Sequence, residues 1–363
     1  MIKYRLGDIV EVISEREDNP SNCKYDKFVG LEHYISGEVE IKNYGNTDLL
    51  KSAMKVFNAG DILIARRNVY LKRASIVNFD GITSGDSIVL RAKDELIKKL
   101  LPFVLNTDNF WKYAEKFSDG TMSKRLSPRI LLEYEFNLPD VKEQKKLAEL
   151  LWGANNTKEA YKKLFLLTDD LVKSQFIEMF GDPKFNPMNW DTRTIGDITN
   201  NFNSYRKPVK SSDREKIRGM YPYYGATGIV DYINEWKLEG RYLLVTEDGK
   251  SLEYRNKEIA FFAEGKIWVN NHAHVLQSNE KCSIDYLCFY INLIDISNFV
   301  TGIDQKKLTR GNLESIPVMN PPIELQNQFA NFIKQADKSK FELQQTILSL
   351  ESTVKSLMKQ YIG

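Results

Sequence analysis

PDVKEQKKLAELLWGANNTKEAYKKLFLLTDDLVKSQFIEMFG (residues 139–181) and PPIELQNQFANFIKQADKSKFELQQTILSLESTVKSLMKQYIG (residues 321–363) are two copies of one pattern. The likeness extends upstream to Gly120 and Gly302, about 60 residues without a gap at a constant offset of 182. Lys124 matches Lys306, Leu126 matches Leu308, Pro139 matches Pro321, Gln144 matches Gln326, Lys158 matches Lys340 and Gly181 matches Gly363. Each copy holds a basic entry (Thr121–Arg125, Ile303–Lys307), a short strand ending at proline, and a long helical pattern. A repeat of this length is informative before any single motif is read.

Alternate steps of four and three from Phe329 give Ile333, Ala336, Lys340, Leu343, Ile347, Leu350, Val354, Leu357 and Tyr361, of which only Lys340 is not apolar. The first copy carries the same register, weakened by Thr168 and Gln175. A seam repeating every 3.5 residues requires a partner helix, and within one chain the economical partner is the other copy. A helix from Gln144 to Phe180 would be about 55 Å long. The expected fold class is therefore α+β: two mixed domains, each followed by a long helix, the two helices packed as an antiparallel coiled coil in a pseudo-twofold internal repeat. The expected divisions are a first domain over 1–142, its helix and linker over 143–181, a second domain over 182–323 and the closing helix over 324–363.

Leu6-Gly7-Asp8-Ile9 opens the first domain and Ile195-Gly196-Asp197-Ile198 the second, at an offset of 189. The parts between opening and helix thus differ by seven residues, and they differ in sequence, as befits one scaffold carrying two different readers. In the first, Phe57–Ala65 reads as a turn and strand, Phe79-Asp80-Gly81 and Ser84-Gly85-Asp86 as turns, Ser87–Leu90 as a strand, and 96–117 as helix. The strand delivers Arg66, Arg67, Asn68, Tyr70, Lys72 and Arg73, four cations in eight residues, which could neutralise phosphates or contact base edges. The same loop could equally be a charged, solvated hairpin edge.

In the second domain, Tyr221–Val230 reads as a glycine-rich aromatic loop entering a strand, and Tyr242–Val245 as a strand ending in Glu247-Asp248-Gly249. Residues 259–276 read as two strands with Gly265-Lys266 as the turn between them and Asn270-Asn271 interrupting the second, which would put His272 and His274 on one face of it. A zinc site there would need Cys282 and Cys288 to converge on it, at an unusual spacing. Asn320-Pro321-Pro322-Ile323 resembles the Asn-Pro-Pro-aromatic motif of amino-methyltransferases, but the aromatic is Ile323 and the other copy reads Asn137-Leu138-Pro139-Asp140. No glycine-rich cofactor loop, Walker loop or Ser-His-Asp order accompanies it, so no catalytic residue, metal or cofactor is expected.

The chain has 363 residues and a net charge of +2, which excludes a polybasic protein but not local basic loops. It has no run of 18 apolar residues, no signal peptide and only three cysteines, consistent with a cytoplasmic protein with no membrane partner.

The motifs Phe28-Val29-Gly30-Leu31-Glu32-His33, Phe57–Arg67, Phe79–Asp86, Tyr223-Tyr224-Gly225-Ala226-Thr227-Gly228, Glu247-Asp248-Gly249 and Trp268–His274, with the two proline–x4–Gln helix entries, resemble the specificity subunit of a Type I restriction–modification system along the whole chain. The resemblance implies two target-recognition domains, each reading one half of a split site in duplex DNA. It implies docking of methyltransferase subunits and, in a restricting complex, of motor-nuclease subunits. The DNA-contact candidates are Arg66, Arg67, Asn68, Tyr70, Lys72, Arg73, Lys124 and Arg125 in the first domain. In the second they are Lys207, Tyr224, Thr227, Asp248, Lys250, Asn271, His272, Lys306, Lys307 and Arg310. The family pattern includes a segment before the first reader, which this sequence lacks. Two other readings use the same features: a coiled-coil scaffold bearing two non-DNA ligand modules, and a fused enzyme acting on DNA by itself.

Overall fold

The computed structural model describes residues 1–120 and 123–362. Thr121 and Met122 of the first basic entry, and the closing Gly363, lie outside the described residues. The chain is α+β and divides into two compact units, Met1–Lys163 with Leu343–Gly363, and Leu164–Glu342.

The two long helices run over Val141–Phe180 and Ile323–Tyr361. The first starts three residues before the expected Gln144, because Asp140 caps it: its carboxylate accepts from the Glu143 amide at 3.0 Å. The proline–x4–Gln spacing has a physical cause. Gln144 is buried and donates Nε2–H to the Pro139 carbonyl at 2.9 Å, and Gln326, also buried, donates to the Pro321 carbonyl at 2.7 Å. Each glutamine closes its helix entry with a satisfied buried polar group.

In the first unit, the apolar run Ile62–Ala65 is buried throughout and lies inside a five-stranded sheet, between Ser87–Ala92 and Ala74–Val77. A four-stranded sheet orders Arg16–Glu17, Met54–Phe57, Gly81–Thr83 and Phe28–Val29. The expected helix over 96–117 is two helices, Glu95–Val104 and Asp108–Phe117. The break comes at Thr107, whose hydroxyl accepts from the Phe110 amide and so starts a second helix. The core joins Leu100, Phe103, Phe110 and Trp111 to Leu147, Ala148 and Leu151 of the first long helix and to Met358 and Ile362.

In the second unit a six-stranded sheet runs Thr199–Asn201, Ala273–Ser278, Leu238–Thr246, Ala260–Val269, Arg218–Gly225, Gly228–Ile233. Two expectations fail here. The aromatic segment is itself a strand, with Ala226-Thr227 as the hairpin turn. Gly265-Lys266 is not a turn but part of a single strand. Gly265 pairs with Gly240, and both have positive φ (79° and 137°), so two glycines absorb a kink across the pair. The real turn is at Asn270–His272, which leaves His272 in a loop and only His274 in the strand. The core gathers Val172, Phe176 and Phe180 of the first long helix with Tyr286, Tyr290, Phe329 and Ala336.

Both units open alike. Ile2–Arg5 pairs with Glu135–Leu138 and Thr192–Thr194 with Pro317–Met319. The Leu6 amide donates to the Tyr134 carbonyl at 2.9 Å, and the Ile195 amide to Ile316 at 3.0 Å. A Cβ on Gly7 would stand 3.1 Å from the Leu132 carbonyl oxygen and one on Gly196 3.3 Å from that of Glu314, so a side chain at either opening would need its neighbour to give by a few tenths of an ångström. Among the described residues no helix is long and apolar enough to cross a membrane.

Candidate nucleic-acid interface

In the first unit the strand Ile62–Ala65 ends at Arg66, and the chain turns through Val69–Leu71 between Asn68 and Lys72, both left-handed (φ 53° and 50°). Backbone bonds lace this loop to its surroundings. The Arg66 amide donates to the Asp86 carbonyl at 2.9 Å, the Leu126 amide to the Arg66 carbonyl at 2.9 Å, and the Asn68 amide to the Lys124 carbonyl at 3.0 Å. The basic entry is thereby brought onto the basic loop. Asp86 accepts from Arg67 at 3.2 Å and Arg125 at 3.5 Å.

The second unit repeats this lacing. The Glu247 amide donates to the His272 carbonyl at 2.9 Å, Leu308 to Glu247 at 2.7 Å, and Gly249 to Lys306 at 3.3 Å. The same framework carries different side chains. Glu247 stands where Arg66 does, nearly buried, and takes Arg206 and Lys307 (3.1 Å from the latter). Those partners hold its carboxyl below the usual range against the opposing effect of burial. Asp248 accepts from His272 Nδ1 at 2.8 Å.

The structure thus gathers Arg66, Arg67, Asn68, Lys124 and Arg125 at one site and Asp248, Asn271, His272, Lys306 and Lys307 at another. Other candidates are committed elsewhere or stand apart. Arg73 donates to the carbonyls of Leu31 (3.0 Å) and Arg67 (3.1 Å), so it holds the loop in shape, and burial pushes its pKa down. Lys72 pairs with Asp108 at 3.2 Å, Arg310 with Glu314 at 2.7 Å, and Tyr70 is exposed. The Lys207 and Tyr224 backbones brace the Trp268–Asn270 segment: the Lys207 carbonyl accepts from Trp268 Nε1 at 2.7 Å and the Tyr224 carbonyl from the Asn270 amide at 3.0 Å. Thr227 sits in the hairpin turn, and Lys250 starts the helical turn Ser251–Tyr254. Sequence reading named Asp86 and Glu247 within motifs but not as ion-pair partners, and it missed Arg206 altogether. Each is an ion-pair partner supplied from a distant segment, which no local spacing announces.

His274 is fully buried: its Nε2–H donates to the Leu308 carbonyl at 2.8 Å and its Nδ1 accepts from Asn203 at 2.9 Å. Burial pushes its pKa below the ordinary 6.5, outweighing the carbonyl and Glu247, which act the other way, while Arg206 adds to the lowering. The unfolded chain therefore binds a proton that the folded one refuses, so stability falls as pH drops below about 6.5, by at most about 1.4 kcal/mol per pH unit from this group. Urea midpoints at several pH values between neutrality and pH 5.5 should show the slope, and His274→Gln should flatten it. An unchanged slope in the variant would assign the effect elsewhere.

A family model described as the Type I restriction modification DNA specificity domain matches residues 1–162 and 187–351. A type I restriction enzyme specificity subunit of Haemophilus influenzae is 37% identical over 141 residues, covering 39% of this chain and 36% of that protein. The MjaIX specificity subunit of Methanocaldococcus jannaschii is 22% identical over 91% of this chain and 82% of its own length. The match thus spans little more than a third of the first relative and most of the second. Among solved structures, the S subunit of a Type I restriction–modification system from M. genitalium superposes with a TM-score of 0.61 at 16% identity, over 100% of this chain and 96% of that one. A chain from a structure on complex assembly and conformational transition of the type I system gives 0.58, also at 16% identity, over 99% and 96%.

Proposed function

Because the chain belongs to the Type I restriction–modification DNA specificity family, we propose that it is the non-catalytic, sequence-reading subunit of such a complex, binding duplex DNA and docking methyltransferase and motor-nuclease subunits. The observation that carries this is the repeated lacing of loop to basic entry: one backbone framework, offered twice, with arginines in one copy and a carboxylate–histidine pair in the other. Two such readers suit an asymmetric, bipartite target. Residues 1–142 and 182–323 would be the recognition domains. A scaffold for non-DNA ligands is not favoured, because it gives the loop arginines no ligand.

The two long helices would pack as an antiparallel coiled coil in a pseudo-twofold repeat. In support, the start of the first helix (Leu147, Leu151) shares a core with the end of the second (Val354, Met358) in one unit. In the other, the end of the first (Val172, Phe176) shares a core with the start of the second (Phe329, Ile333).

Arginine pairs bidentately with guanine and a carboxylate accepts from the cytosine amino group. Arg67→Ala should therefore relax one half of the methylated motif, and Asp248→Ala the other, each by about 1–3 kcal/mol of discrimination at one position. Sequencing modified bases in a host expressing the complete system reads this directly. Relaxation of both halves by either single substitution would overturn the two-reader assignment.

A further inference from the structure

In the four-stranded sheet of the first unit, Arg16 lies directly opposite Lys55. Directly opposed residues of an antiparallel pair have Cβ atoms about 4.5–5.5 Å apart, and like charges there repel. Lys55 is half-buried and donates to the Ser87 carbonyl at 2.6 Å. Burial lowers its pKa most, followed by the charges of Arg66 and then Arg16, with Asp86 acting the other way. Arg66 belongs to the same cluster, and its Nε is buried without a hydrogen-bond partner. Asp86, the carboxylate whose charge reaches Lys55, is held by Arg67 and Arg125. Among the described residues no carboxylate forms an ion pair with Arg16, Lys55 or Arg66.

Two cations are thus set side by side by strand register, and the backbone lacing brings the loop of the third alongside, while the carboxylate that reaches Lys55, Asp86, is already shared with Arg67 and Arg125. Cross-strand repulsion of this kind is a standing cost to the free protein, and an anion seated among the three removes it. The second unit lacks this arrangement at the matching loop position, where Glu247 is already neutralised by Arg206 and Lys307.

We propose that Arg16, Lys55 and Arg66 bind a backbone phosphodiester of the duplex, fixing the first unit on DNA without reading sequence. This rests on the DNA-reading function above. It separates the labour of two adjacent residues: Arg66 grips the backbone while Arg67, beside Asp86 and Arg125, is left for base edges.

The test uses the full chain and two labelled duplexes, one carrying the methylated motif and one unrelated, with Kd measured across a salt series. Each phosphate contact contributes about 0.9 to the slope of log Kd against log salt. Arg16→Gln and Lys55→Gln should each lower the slope by about one unit, weaken both duplexes by the same factor and leave the methylated motif unchanged. Arg16→Lys should restore the slope. Arg16 is exposed, so Arg16→Gln tests the site without disturbing a core, and its melting temperature should equal or exceed the parent's. An unchanged slope in both glutamine variants, or a loss confined to the target duplex, overturns the proposal while the DNA-reading function stands. A parent chain whose binding to both duplexes ignores salt would overturn both.

Discussion

Replacing Phe176 by alanine should cost the second unit about 3–5 kcal/mol, the range for a buried phenylalanine. Phe176 is fully buried, and its ring lies 5.0 Å from that of Phe180, 5.7 Å from Tyr286, 5.4 Å from Phe289 and 5.3 Å from Phe329, centroid to centroid. These rings come from the first long helix, the helix Ile284–Leu293 and the second long helix. Deleting the central one leaves a void that three rigid elements cannot jointly collapse. Calorimetry should show a melting temperature lower by on the order of 10 °C. A loss below about 1 kcal/mol would mean that the cluster is loosely packed and that other contacts hold the two helices in this unit.

A second large effect is expected at the ion-pair network beneath the first long helix. Glu38 accepts from Lys158 at 2.9 Å and from Lys162, while Glu159 reaches Lys158 at 3.5 Å, Lys162 at 3.4 Å, and Lys42. The Lys158 side chain is only 9% exposed and that of Glu38 19%. Neutralising one member of a buried pair strands its partner, so Glu38→Gln should cost about 3 kcal/mol, the low end of the range because Glu159 remains. Lys158→Met in the same chain should recover most of it. A denaturant double-mutant cycle measures the coupling, and strictly additive effects would show that Glu38 and Lys158 do not act as a pair.

The same lysine shows what a sequence can and cannot convey. Lys158 and Lys340 are matched positions, and Lys340 is the one member of its seam that is not apolar. In the structure each has a use: Lys340 reaches Asp169 at 2.6 Å and covers the Phe165 ring at 4.8 Å, while Lys158 reaches Glu38. The helices were legible because periodicity and capping are local; the Asp140 cap and the Gln144 and Gln326 closures lie within five residues of the groups they satisfy. The helical span 96–117 was misread because a threonine cap inside an apolar pattern is weaker than the pattern. Gly265 was misread because glycine marks a turn and a strand kink equally, and only the facing Gly240 decides between them. Of the candidate interface, the cations of Arg66–Arg73 and of the two basic entries stand out in the sequence as local clusters. The lacing that joins each loop to its entry spans some 60 residues, and the opposition of Arg16 to Lys55 spans 39. Neither leaves a spacing signature.

The division of the chain has a consequence for its synthesis. The first unit contains Leu343–Gly363, and its core is completed by Met358 and Ile362 packing with Leu147, Ala148 and Leu151. A ribosome ordinarily lets the amino-terminal domain fold while the rest is still being made. Here the amino-terminal unit is the last to be finished, because the apolar face at Leu147 and Leu151 stays uncovered until the final turns of the second long helix emerge. A stalled or nicked chain of any length short of those turns holds an open first core however well its second unit has folded. Only a chain translated through the final turns of its second long helix can close the first core.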